Sequence, residues 1–311
     1  MSKNLTTLGK VADMVDLMSK NCLDRMVPVK DISFDGLKVV KIDGQPFELR
    51  PTAQRSMCYR LGTPYHYLRK CPPEIQQVNM NFWIEKEKKE ALFLRFDGDS
   101  VRAIFTDKYK PVDNFEVIER LDSLGYRPDT KVQVHLDDEF MSLSIPDGNR
   151  TFSVNGDRIT PGLTISNSEV GLASLSIAAF FLRLVCSNGL VSKTEVSASY
   201  RHVSTKILAE FPTVLERVSL ELGTRKDQFL TSLETPVESP EATLTRFNKE
   251  YQLGKEEQKA VEWGWMKEAA DPVTMFQIVN AYTRASQFEG LPAEGRHRLQ
   301  SVGGNILGML K

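Results

Sequence analysis

With 311 residues, 41% hydrophobic and 26% charged, the chain can bury one large core or two modest ones, and this excludes a largely disordered protein. Its 40 basic and 41 acidic residues leave a formal charge of −1, which excludes a uniformly basic nucleic-acid binder. Cys22, Cys58, Cys71 and Cys186 contain no C-x-x-C pair, so neither a zinc ribbon nor a disulfide framework is expected. The N-terminal segment lacks the apolar core of a signal peptide, and the apolar run Ile177–Phe181 is too short to span a bilayer. A cytoplasmic protein with no membrane contact is the expectation.

In chain order, residues 5–20 carry Leu8, Val11, Val15 and Met18 at helical spacing. Thr52 is placed to cap a helix running to Leu61 and ended by Gly62, and Thr63-Pro64 repeats a helix start. Pro72-Pro73 stops that helix and opens a third through Ile75, Val78, Phe82 and Trp83. At Ala91 the period changes to that of strands. ALFLRF, the turn Asp97-Gly98-Asp99-Ser100 and VRAIF predict a β-hairpin. Asp113 and Glu116 form a capping box for a helix ending near Gly125. KVQVHL and FMSLSI predict two more strands, with a turn at Pro146–Asn149 leading into TFSVN. Leu172–Cys186 fits a helix or a strand, and its Ser/apolar alternation favours the strand. Beyond Thr205 the pattern is helical. Ile207, Leu208, Phe211, Leu215, Val218 and Leu222 make one stripe, kinked at Pro212, and further helices are expected at 256–268, 273–287 and 293–310.

The expected fold is therefore α+β: an antiparallel β-sheet core with an N-terminal helical layer and a helical C-terminal region. Residues 1–234 form the core domain in this reading. Residues 241–311, beyond the polar link TPVESP, pack on it or extend it.

Charge is unevenly spread along the chain. Between Glu48 and Glu74 there is no acidic residue, and Arg50, Arg55, Arg60, Arg69 and Lys70 alternate with Tyr59, Tyr65, His66 and Tyr67. On a helix from Thr52, the residues Ala53, Met57 and Leu61 point inward, while Arg55 and Tyr59 point outward. Cations beside exposed rings are what single-stranded nucleic acid needs, charge for phosphates and flat faces for unstacked bases. A solvated basic face over core tyrosines is the plainer alternative. A second acid-free span, Glu195 to Glu210, holds Arg201, His202 and Lys206. If Phe96 pairs with Val101, Arg95 and Arg102 oppose each other across the hairpin. Either a bound phosphate or a nearby carboxylate of the same chain would relieve that repulsion.

Catalytic signatures are poorly represented. His66, His135, His202 and His297 lack metal-ligand spacing, and no phosphate-binding loop or nucleophile elbow is present. His66 with Cys71 has no orienting third group. Asp137-Asp138-Glu139 offers hard oxygen ligands for Mg²⁺, but between two strands it also reads as a solvated turn. No cofactor is expected.

Five segments, TDKYKPVDNFEVIERL, ISNSEVGLASLSI, FLRLVCSNGLV, SYRH and VTMFQIVNAYTRA, together with PTAQRSMCYRLGTPYHYL, resemble a family of phage- and plasmid-borne proteins classed as a domain of unknown function, including the YafZ/YfjQ-type prophage proteins. At fold level the resemblance extends distantly to single-strand annealing recombinases, and it implies ATP-independent binding of single-stranded DNA by rings or filaments. In Asp107–Pro111, Lys108 and Lys110 flank Tyr109, either as a phosphate-and-base contact or as a packed tyrosine with solvated lysines. Arg183 shares strand parity with Leu175, Ile177 and Phe181, so it should point into an apolar face and need a partner, for which Glu169 is the candidate.

The leading expectation is a mobile-element protein that anneals or protects single-stranded DNA, with RNA left open, as a homo-oligomer that also meets a phage or host recombination protein. Arg55, Arg60, Arg69, Lys70, Lys108, Lys110, Arg201 and Lys206 would neutralise phosphates, and Tyr59, Tyr65 or Tyr109 would stack on bases. The alternatives are a module or inhibitor binding a host or phage protein through the acidic C-terminal part, and a Mg²⁺-dependent nuclease built on Asp137, Asp138 and Glu139.

Overall fold

The computed structural model describes residues 5–154, 157–183, 188–192, 198–200, 212–213, 216 and 226–310. The chain opens with a short strand, β1 (Leu5–Thr7), and a helix, α1 (Leu8–Ser19), whose first turn is capped by the Thr7 hydroxyl accepting from Lys10 N. Leu8, Val11 and Val15 are its buried face, as their spacing predicts, and Met18 is half-buried.

The segment that follows has no counterpart in the sequence reading. Strands β2 (Cys22–Pro28), β3 (Ile32–Asp35), β4 (Val39–Ile42) and β5 (Gln45–Leu49) join the hairpin β6 (Ala91–Asp97) and β7 (Ser100–Thr106) in a six-stranded sheet ordered β2-β6-β7-β5-β4-β3. Asp43 and Gly44, with φ of 51° and 79°, make the tight turn between β4 and β5. The pairs are antiparallel except β5 with β7.

Helices α2 (Pro51–Arg60), α3 (Tyr65–Leu68) and α4 (Pro73–Ile84) cover this sheet and share its core, where Ala53, Met57, Leu68, Met80 and Ile84 meet Phe34, Leu49, Leu92, Leu94 and Phe96. The helical layer expected at the N-terminus is therefore a sheet with helices on one side. α2 begins one residue earlier than expected, with Pro51 at its first position, because proline gives up no hydrogen bond there. Thr52 is thus inside the helix and does not cap it. Gly62, with φ of 67°, ends α2 as predicted. α4 lies along the edge strand β3, where the Asn81 amide accepts from Phe34 N at 2.7 Å and donates to Phe34 O at 3.0 Å. That side chain satisfies backbone groups an open edge would expose.

The second sheet is antiparallel, ordered β1-β8-β9-β11-β12-β13, with β10 added to β11 and β14 to β12. Its strands are β8 (Lys131–Leu136), β9 (Met141–Pro146), β10 (Phe152–Val154), β11 (Asp157–Asn167), β12 (Leu175–Arg183), β13 (Asn188–Ser192) and β14 (Ala198–Tyr200). The ambiguous stretch around Leu175 is a strand. One face of this sheet carries Leu143, Ile165 and Ile177, which join α1 and α5 (Asn114–Ser123) in a core shared with the C-terminal helices. The other face carries Ser142 and Ser144, both hydrogen-bonded to Thr164, and His135; Ser142 also bonds His297, and His135 bonds Gln300, both of the last helix.

The Asp113–Glu116 capping box forms as read, with Asp113 N donating to Glu116 at 2.7 Å. The C-terminal helices run Lys226–Glu234, Pro240–Glu250, Lys255–Glu268, Met275–Ala285 and Ala293–Gly308, within two residues of the expected bounds where bounds were expected. The stripe residues Ile207, Leu208, Phe211, Leu215, Val218 and Leu222 lie outside the described residues. The fold is α+β.

Candidate nucleic-acid interface

The boundary between the two sheets is polar, and it absorbs two of the arginines singled out in the sequence. The hairpin pairs Phe96 with Val101 as expected, but the register shifts one position further along, so Arg95 faces Ala103 and the two arginines are not opposed. Both are neutralised internally. Arg95, 1% exposed, donates from Nε to Asp24 at 2.9 Å, from Nη2 to Asp113 and from Nη1 to the Glu169 carbonyl at 3.1 Å. Burial alone would lower its pKa, but Asp113 and Asp24 hold it above the ordinary value. Arg102 donates to Glu169 Oε2 at 2.8 Å, while Glu169 Oε1 accepts Asn114 N at the start of α5 at 2.7 Å. Asn167 Nδ2 donates to Val112 O and Asn114 Oδ1, both at 2.9 Å.

The family-like segments around Asp113 and Glu169 thus meet in one buried ionic knot. Its adjoining crevice, lined in part by Cys22, Arg50, Asp97, Arg102 and Glu169, is narrow and polar, with room for ordered water. Burial pushes the Cys22 and Cys58 thiols up, away from the thiolate a nucleophile needs.

Tyr109 belongs to this knot. It is 8% exposed, stacked on Phe105 at 3.7 Å, and its hydroxyl donates to Glu169 O at 3.4 Å. Burial pushes its pKa to about 12. The expectation that it stacks on a base is corrected: it packs under its loop, while Lys108 and Lys110 on either side are exposed.

The other anticipated contacts divide by environment. Arg60 is half-buried and paired with Glu87 at 3.1 Å, so its charge is spent within the protein. Arg55 is exposed but donates to Thr52 Oγ1 at 2.7 Å and lies 3.9 Å from Glu139. Tyr65 is half-buried, its hydroxyl 3.5 Å from Gln54 Oε1, with the Arg69 guanidinium 6.0 Å from its ring. Tyr59 is 90% exposed, and Tyr67, Arg69 and Lys70 are also exposed. Among the described residues Arg69, Lys70, Lys108 and Lys110 have no ion-pair partner. Arg201 and Lys206 lie outside the described residues.

Two ion pairs set the layout of these groups. Arg60–Glu87 ties the end of α2 to the segment after α4, and Lys89–Asp107 at 2.8 Å ties that segment to the Lys108–Lys110 loop. The end of α2 at Arg60, the segment after α4 and the loop at Asp107 are therefore linked in series.

The remaining chemistry reads as structural. Asp137 Oδ1 accepts Glu139 N and Phe140 N, its Oδ2 accepts Ala293 N at 2.7 Å, and Glu139 is held by Thr52. Among the described residues no group of three His, Cys, Asp or Glu side chains is placed to hold a metal ion. Cys71 Sγ turns to Tyr67 O at 3.6 Å and His66 packs edge-on to Tyr65. Arg183 has Glu268 as its partner, at 2.6 Å, in place of the expected Glu169, whose carboxylate is committed to Arg102 and α5. Among the described residues no helix is long and apolar enough to cross a membrane.

No curated protein and no solved structure matches the chain. The pattern defining the family described as "Domain of unknown function (DUF932)" matches residues 102–287, which takes in the ionic knot from Arg102 onward and leaves α2–α4 outside. With more than half of its length matched, the chain belongs to this family of domains of unknown function.

Proposed function

We propose that the protein binds single-stranded nucleic acid in the cytoplasm through the outer surface of α2–α4 and the Lys108–Lys110 loop. In this reading it protects or anneals strands of a phage or plasmid as a homo-oligomer, without a nucleotide cofactor. The observation that carries the reading is Tyr59, a large ring left 90% exposed on a helix whose neighbouring segment supplies the exposed cations Arg69 and Lys70. Base–aromatic stacking contributes about 1–3 kcal/mol per base and tolerates any sequence, while cations along the path neutralise phosphates. The set of binding residues is smaller than the one read from the sequence. Tyr109 and Arg60 leave it, Arg55 is shared with Glu139, Tyr59, Tyr65, Arg69, Lys70, Lys108 and Lys110 remain, and Arg201 and Lys206 lie outside the described residues.

Fluorescence anisotropy with labelled single-stranded and duplex oligonucleotides of one length, over a salt series, tests this. Binding that prefers the single strand and weakens as salt rises supports the reading; no binding at low salt removes it.

A further inference from the structure

Phe82 and Trp83 are 50% and 42% exposed, although each could bury a large apolar area in a core. The helix cannot rotate to cover them. Its inward side is filled by Met80 and Ile84, and the intervening Asn81 is held by the Phe34 backbone at 2.7 and 3.0 Å. The two rings meet edge to face at 5.1 Å, and the Lys86 ammonium lies 4.8 Å from the Phe82 centroid. The Arg60–Glu87 pair brings Tyr59, next to Arg60 on α2, to this same end of the helical layer, and Lys89–Asp107 continues the surface to Lys108 and Lys110. Along that run the lysines Lys86, Lys88, Lys108 and Lys110 are exposed against the carboxylates Glu85 and Glu90, while Glu87 and Asp107 are already paired.

We propose that Phe82 and Trp83, with Lys86, form a base-stacking platform that continues the path from Tyr59 toward Lys108, so that one single strand crosses the end of α4. The inference rests on the single-strand reading above and assigns it residues that the sequence alone had marked only as helical. Charge complementarity selects the occupant: a cation over one ring and four exposed lysines along the run suit an anionic chain carrying flat, unstacked bases. A purely apolar partner would leave the excess of these four lysines over Glu85 and Glu90 uncompensated.

The test uses the full chain with an oligo-dT of roughly 20 nucleotides, longer than the about 4–16 nucleotides one such site covers. Both side chains are exposed, so the double variant Phe82→Ala/Trp83→Ala should unfold at the wild-type temperature. Its affinity should fall by about 10-fold or more. Oligo-dT should quench wild-type tryptophan emission, and Trp83→Phe should remove most of that quenching while binding persists. Wild-type binding with an unaltered double variant overturns the platform and leaves the single-strand reading in place. A lower molar mass of the double variant by light scattering assigns the rings to contact between copies and also overturns it. A wild type that binds no single strand overturns both.

Discussion

Arg102 and Glu169 meet at 2.8 Å across the boundary of the two sheets, both largely buried, and the same carboxylate receives the first backbone N–H of α5. One side chain from the loop after β11 thereby fixes the β6–β7 hairpin against the second core. Removing one partner of a buried pair leaves an uncompensated charge, which costs about 3–5 kcal/mol. Glu169→Ala should lose stability on that scale in urea unfolding. A loss below about 1 kcal/mol, typical of exposed pairs, would show that the knot does not hold the sheets together.

Gly171 is the steric counterpart of this knot. Its φ is +83°, and a Cβ there would lie 2.6 Å from the Phe105 ring that stacks on Tyr109. The left-handed backbone alone costs a side chain about 1–2 kcal/mol. Gly171→Ala should lower the melting temperature clearly, whereas Gly148→Ala, where a Cβ meets nothing within 4 Å, should not. Equal melting temperatures for the two variants would contradict the packing described.

Stability should fall in acid through His135. Burial first, then the charges of Arg296 and His297, lower its pKa from 6.5 to about 3. Near neutral pH the imidazole is uncharged in both states. As pH drops below about 6.5 the unfolded chain takes up a proton that the folded chain resists, so stability is lost progressively toward pH 3. By about pH 4 the loss is on the order of 3 kcal/mol. His135→Gln keeps an acceptor for Gln300 and should flatten this part of the profile, as measured by urea unfolding at pH 7 and 4.5. An unchanged profile would assign the acid sensitivity to other groups.

The basic residues should separate by environment. Arg69→Ala and Lys70→Ala should weaken single-strand binding and reduce the slope of log K against log salt by about 0.7 for each phosphate that is no longer neutralised. Arg60→Ala, which strips Glu87 of its partner, should mainly lower stability, and Tyr109→Phe should leave binding unchanged. Affinity measured by anisotropy, with melting temperature alongside, decides each case. Loss of binding in Tyr109→Phe at unchanged stability would contradict its placement under the loop.

What the sequence disclosed follows from how local each cause is. The capping box at Asp113, the stop at Gly62 and the helices expected at 256–268, 273–287 and 293–310 depend on neighbours a few residues away, and these formed as read. Strands β3–β5 went unread because they are short, and β2, as long as β6, because Asp24-Arg25 breaks its alternation, although Asp43-Gly44 was a hairpin signal in plain view. The arginine pairing failed on a single bulged position, which no alternation pattern marks. Tyr109 and Arg183 failed for want of distant partners: Glu169 lies 60 residues beyond the tyrosine, and Glu268 lies 85 beyond the arginine. The outward Arg55–Tyr59 face was legible from helical spacing, whereas the exposure of Phe82 and Trp83 depends on Asn81 docking to β3, an interaction 47 residues apart in sequence.

The helical layer beside the ionic knot is the surface proposed to receive a single strand. Anisotropy titration of the wild type with oligo-dT and with duplex, repeated from low to high salt, addresses this most directly. Tighter binding to the single strand is predicted, with log affinity falling linearly as log salt increases. Equal affinity for duplex, or binding indifferent to salt, would contradict it.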